Sequence, residues 1–151
     1  EQAVAMWRTE KVEAYYCGEA AYAHWLGWLR GVDAGSVADP AAGMQGNGWC
    51  FDVLVHSRRI AGQWLRGKAE LFAGEAGEQL RRAADHYART AAGCAEGLSC
   101  PWDLAPGPDR RQQWTSQQRQ VQAERLEAAR EHDRAAVAAI DSALALIKAA
   151  P

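Results

Sequence analysis

LEAAREHDRAAVAAIDSALALI, residues 126–147, is the stretch on which the fold turns. Leu126, Asp133, Ile140 and Ile147 recur every seven residues, with Ala129, Ala136 and Ala143 beside them. A seven-residue recurrence draws one stripe along an α-helix and is the pattern of a bundle or coiled-coil seam. The alanines permit a neighbouring helix to come close. Asp133 breaks the apolar run, and a carboxylate facing a core must be paired or hydrogen-bonded. Arg58, Arg59 and Tyr87 are its candidate partners. It is then either a buried pair that fixes bundle register or a polar anchor for a ligand inside the bundle. A slightly rotated helix would place it in water instead.

Working outward, this last helix is expected from about Arg110 to Lys148, with Thr115 and Gln118 spaced as a capping box at its inner start. Three helices precede it. The first is predicted from about Ala3 to Leu29, with Trp7, Lys11, Gly18, Tyr22, Trp25 and Leu29 on one side. Gly18 is expected where a neighbouring helix or ligand comes close. The second is predicted to open at Asn47, a good N-cap residue, and to bury the face marked by Cys50, Val53, Ser57, Ile60, Ala61, Trp64, Lys68 and Leu71. The third runs from about Glu75 to Ala95 with a stripe of Ala76, Leu80, Ala83, Tyr87, Ala91 and Cys94. The connections at 31–48 and 97–110 are rich in Gly and Pro, and the first is long enough for a lid or crossover. Strand signals are nearly absent. The chain is therefore expected to be all-α, an antiparallel four-helix bundle with a long C-terminal helix, in one domain over 1–151.

The composition narrows the function classes. The chain has 151 residues, 24% charged and 48% apolar, as a globular domain has. A net charge of −2 argues against a nucleic-acid partner, which calls for a clustered positive excess. No apolar run approaches the roughly 18–20 residues of a membrane span. The four cysteines, Cys17, Cys50, Cys94 and Cys100, form no CxxC pair. They read as reduced thiols of a cytoplasmic protein, since a core of this size needs no disulfide. The charged run in QQRQVQAERLEAAREHDR reads as a solvated helix face.

Three constellations could carry chemistry. Cys50 follows Gln45, Gly46, Asn47, Gly48 and Trp49, and QGNGWC resembles the nucleophile region of papain-like cysteine proteases, with Gln45 in the place of an oxyanion donor. The spacing departs from that family, a second glycine turn beside the cysteine is missing, and no strands are expected to carry a histidine. Cys50 is thus read as a small packed residue near a helix start. His24, His56, His86 and His132 fall one to each expected helix, as bundle metal ligands do. Yet no HxxxH or ExxH pair accompanies them, and DinB-like bundles carry two histidines on the last helix where this chain has His132 alone. They are read as surface or boundary residues, with no metal and no cofactor. The aromatic set is the third. Tyr22, Trp25, Trp49, Trp64 and Tyr87, with Asp133, are expected to converge between helices, as a core or as a pocket for a planar or amphipathic small molecule with the loops near Asn47 and Trp102 as lids.

The order of features Gly18, Ala21, Tyr22, Trp25, Leu29, then Asn47-Gly48-Trp49, Arg58-Arg59, Ala61, Trp64-Leu65, Leu80, Ala83, Tyr87, and finally Leu126, Ala129, Asp133, Ala136-Val137 and Ile140 resembles the helical region of a set of uncharacterised bacterial proteins. In some of these it accompanies a papain-like domain similar to the butirosin-pathway acyltransferase. The resemblance covers roughly residues 15–147. It implies a helical fold and an accessory role, and transfers no active site. Glutamate is usual where this chain has Asp133.

The expectation is a non-enzymatic helical module that binds a small aromatic or amphipathic ligand between its helices. Two alternatives stand beside it. One is a protein–protein interaction or dimerisation domain with a purely structural aromatic core, for which the alanine-rich last helix offers a homodimer surface. The other is a thiol- or metal-dependent enzyme using Cys50 and a histidine.

Overall fold

The computed structural model describes residues 1–31, 40–97 and 114–149. Its elements, in chain order, are α1 (Gln2–Arg8), β1 (Lys11–Val12), β2 (Tyr15–Tyr16), α2 (Gly18–Gly31), α3 (Pro40–Ala69), α4 (Gly74–Gly97) and α5 (Ser116–Ala149). The chain is mostly helical, as expected, and no described helix is long and apolar enough to cross a membrane.

The first expected helix is two helices. A small antiparallel ladder, Lys11 to Tyr16 and Val12 to Tyr15, interrupts it. Thr9, Val12, Tyr15 and Tyr16 all suit extended backbone, and Thr9 leaves α1 with ψ 127°. Gly18 then restarts the helix at φ +49°, with the Trp7 backbone where its Cβ would be. The close approach expected at Gly18 is real, and its occupant is the chain's own α1.

The second expected helix starts earlier than Asn47. α3 begins at Pro40, so Asn47 is interior and buried. Its inward face also differs from expectation. Phe51, Leu54, Val55, Leu65 and Ala69 are buried, whereas Trp49, Val53, Ile60 and Trp64 point outward. α3 has apolar residues on two opposite sides, so periodicity alone does not choose between them.

α4 and α5 follow the sequence closely. α4 buries Leu80, Ala83, Tyr87, Ala91 and Cys94. α5 starts with the capping box: Gln118 N–H donates to Thr115 Oγ1 at 3.2 Å and Thr115 N–H donates to Gln118 Oε1 at 2.7 Å. Ala129, Ala136 and Ala143 are buried within the chain, whereas Ala128, Ala138 and Ala145 are exposed on the other side of α5.

Residue pairs give the direction of each helix contact. α3 packs antiparallel on α4, with Arg66 near Asp85 and Arg58 near Tyr87. α4 packs antiparallel on α5, with His86 against His132, Thr90 against Ala129 and the Gly93 carbonyl against Arg125. α2 lies antiparallel on α5, with Glu19 bound to Arg134, Tyr22 to Asp133 and Arg30 to Glu127. α1 rests on α5 and α2. α2 and α3, by contrast, come together mainly through side chains among the described residues.

The core has two apolar clusters. One gathers Val4, Leu65, Leu80, Tyr87, Val137 and Ile140, the other Leu26, Leu29, Phe51, Leu54, Trp114 and Leu126. Along α5, Asp133 sits between the last residue of one cluster, Ala129, and the first of the other, Ala136.

Candidate functional site

Asp133 is fully buried and gathers one polar group from each of α2, α3 and α4. Tyr22 Oη donates to its Oδ2 at 2.8 Å, Arg58 Nε donates to the same oxygen at 2.6 Å, and Thr90 Oγ1 donates to Oδ1 at 2.9 Å. Arg58 is the ion partner among the sequence candidates, with Nη2 also 2.6 Å from Oδ2. Tyr87 lies under the guanidinium, 5.2 Å from ring centre to Cζ. Burial, seconded by the Asp133 charge, pushes the Tyr22 hydroxyl well above the usual tyrosine range, so it remains a proton donor. Burial works against the Arg58 charge, but the attraction and hydrogen bond of Asp133 outweigh it and hold Arg58 above its ordinary value. Among the described residues no buried side-chain nitrogen or oxygen lacks a hydrogen-bond partner.

A second set of bonds ties α2 to α3 where their backbones stay apart. Trp25 Nε1 donates to Asn47 Oδ1 at 2.8 Å, and Asn47 Nδ2 donates to Gln122 Oε1 at 3.0 Å. Trp114 Nε1 donates to the same Gln122 oxygen at 2.9 Å. The Trp25 ring tilts onto Phe51 with centroids 4.7 Å apart.

Between these ties α2 and α3 leave a cleft of about 610 Å³. Ala21, Tyr22 and Trp25 line it from α2, and Trp49, Cys50, Val53, Leu54, Ser57 and Arg58 from α3. Gly18 and Gly46 line it too; a Cβ at Gly46 would meet nothing within 4 Å, whereas one at Gly18 would meet the Trp7 backbone. The walls are apolar and aromatic. The polar groups are Ser57 and Arg58 at the inner end, where Arg58 Nη1 reaches Ser57 Oγ at 3.5 Å. That contact is long enough for a better acceptor to replace it.

The expected aromatic site is brought together in part. Tyr22, Trp25 and Trp49 share the cleft, and Asp133 lies behind it through Tyr22 and Arg58. Tyr87 is a buried core residue beneath Arg58. Trp64 is 60% exposed and outside the cleft, with Lys68 over its ring at 5.5 Å. Val53 and Ser57 were not singled out as lining residues because their face of α3 was expected to be buried; Ala21 lies on α2, Gly46 was expected in the connection before the helix, and Arg58 was named only as a partner of Asp133. Thr90 and Gln122 were missed as well. Their signal is a polar side chain on an otherwise apolar stripe.

Cys50 is an exposed thiol at the cleft wall, well inside α3 and far from its N-terminus. It is neither the packed residue expected nor a group activated by a helix end. Burial pushes its thiol up, which lowers the thiolate fraction. Cys17 and Cys94 are free thiols too, and burial raises Cys94 to about 12. Cys100 and Trp102 lie outside the described residues. His86 and His132 meet with their Nδ1 atoms 3.3 Å apart, and among the described residues no group of three or more His, Cys, Asp or Glu side chains is placed to hold a metal ion.

No family model matches the chain, and a search of curated proteins and of solved structures finds no significant match.

Proposed function

We propose that α2 to α5 act as an antiparallel four-helix bundle whose α2–α3 side stands ajar to take one small molecule, and that the protein binds it without transforming it. The observation that carries this reading is the cleft walled by Trp25 and Trp49. Its volume falls within the roughly 300–1,000 Å³ of small-molecule sites, and its character is theirs, apolar and aromatic with few polar groups. A ligand that fits has a planar or amphipathic body against Trp25, Trp49 and Val53, and a neutral or weakly polar acceptor turned towards Ser57 and Arg58. Arg58 is already neutralised by Asp133, so the site offers little to a strongly charged head. The raised thiol of Cys50 favours binding over thiol catalysis. An accessory role in the cytoplasm, beside a catalytic partner, is the setting we assign to it.

The test is native and then denaturing mass spectrometry of the purified protein, with a fluorescence titration using 1-naphthol as probe. Retained mass lost on denaturation, or saturable one-site quenching that Ala21→Trp abolishes by filling the cleft, is the expected result. No retained mass together with no saturable quenching, or quenching unchanged in Ala21→Trp, would sink the reading.

A further inference from the structure

From Trp49 onward the outward side of α3 carries a line of apolar residues, broken at His56, which pairs with Asp52. Trp49, Val53, Ile60 and Trp64, with Leu71 just past the helix end, are each between 60% and 69% exposed. At about 100° per residue these positions fall within one narrow stripe, opposite the buried face of Phe51, Leu54, Val55 and Leu65. Single exposed apolar residues need no explanation, but a contiguous stripe does. With about 150–250 Å² for each of the two tryptophans and less for Val53, Ile60 and Leu71, the five residues, about two-thirds exposed, present on the order of 500 Å². Two such stripes together reach about 1,000 Å², the floor for a specific interface.

We infer that this stripe is a self-association surface, on which a second copy of the chain docks its own α3 antiparallel about a two-fold axis at Ile60. A two-fold contact requires one patch that is complementary to itself. Trp49 and Leu71 lie equally far from Ile60 along the chain. Gly67 lies on the same outward side, and nothing stands within 4 Å of where its Cβ would be. An antiparallel copy centred on Ile60 sets that residue against its own counterpart. Trp49 then lies level with Leu71 of the second copy, Val53 lies over its Gly67, and Trp64 falls between its Val53 and Ser57. The polar residues Arg59, Gln63 and Lys68 flank the stripe as a rim. The contact shares Trp49 and Val53 with the wall of the cleft, whereas Ile60 and Trp64 lie outside it, so substitutions at those two residues test the contact separately from the ligand reading.

Sedimentation velocity of the full chain over a concentration series is expected to show a dimer that dissociates on dilution. Ile60→Glu brings two carboxylates together on the axis and is expected to raise the dimer dissociation constant about 30-fold or more, the scale of a hot-spot loss. Circular dichroism checks that its helices persist, and Trp64→Ser reads the same surface if they do not. In a Cys50→Ser background, mild oxidation of Ile60→Cys is expected to link two chains through residue 60, whereas Val121→Cys on α5 stays unlinked. A dimer indifferent to Ile60→Glu and Trp64→Ser, or one that residue 60 does not cross-link, would overturn the inference. So would a wild-type chain that is monomeric at every concentration, which would leave a different protein as the occupant of the stripe.

Discussion

Asp133, itself fully buried, accepts hydrogen bonds from Tyr22, Arg58 and Thr90. Removing one partner of a buried pair leaves the other charge stranded and costs about 3–5 kcal/mol. Asp133→Ala is therefore expected to lower the urea-unfolding free energy by about that much, and Arg58→Met by a similar amount. The double change Arg58→Met with Asp133→Leu is expected to cost less than the sum of the two single changes, because neither charge is left behind. This residue was legible from its place in the seven-residue stripe, and Arg58 was among its candidate partners. The choice of Arg58 over Arg59, and the roles of Tyr22 and Thr90, depend on helix rotations that spacing does not supply. His86 makes a different prediction. Partial burial first, then the charges of His132 and Arg89, hold its pKa below the usual histidine value, with Asp85 opposing. The unfolded chain therefore binds the proton at higher pH than the folded one. The contribution is full above the unfolded value of about 6.5 and is lost as pH falls towards the lower folded value. The urea midpoint of the wild type should fall over that range, and His86→Gln should flatten the fall.

At the scale of elements, local chemistry wins wherever the stripe is unambiguous. α4 and the start of α5 lie where their patterns put them, because one side of each is plainly apolar. α3 defeats the same method because two of its sides are apolar, and nothing in the order of residues says which one meets α4. The first helix fails for another reason. Helical spacing runs on through Lys11 and Gly18, but Thr9, Val12 and the tyrosine pair prefer extended backbone, and a glycine at φ +49° restarts the helix. Gly18→Ala meets both a steric clash with the Trp7 backbone and a left-handed conformation. It is expected to cost more than about 1 kcal/mol. The loss should be local, with amide exchange speeding up over Gln2–Arg8 while α4 and α5 keep their protection.

At the scale of the whole molecule, the all-helical class was legible and the cleft was not. The cleft arises where α2 and α3 meet through side chains and their backbones stay apart, and sequence patterns report what packs more readily than how closely. Tyr22, Trp25 and Trp49 were found as aromatics, while the small lining residues Ala21 and Gly46 carry no pattern of their own. The meeting of three helices on one carboxylate has a further consequence, for how the chain comes apart. A form with α2, α3 or α4 undocked loses one of the donors to Asp133 and weakens the hold on the other two helices, so each such form is penalised. Half-assembled species are thereby depopulated, and the two apolar clusters, which could otherwise melt one after the other, are coupled into a single transition. Tryptophan fluorescence and far-ultraviolet circular dichroism should report the same urea midpoint for the wild type. In the Arg58→Met, Asp133→Leu chain, with the coupling gone, the two midpoints should separate.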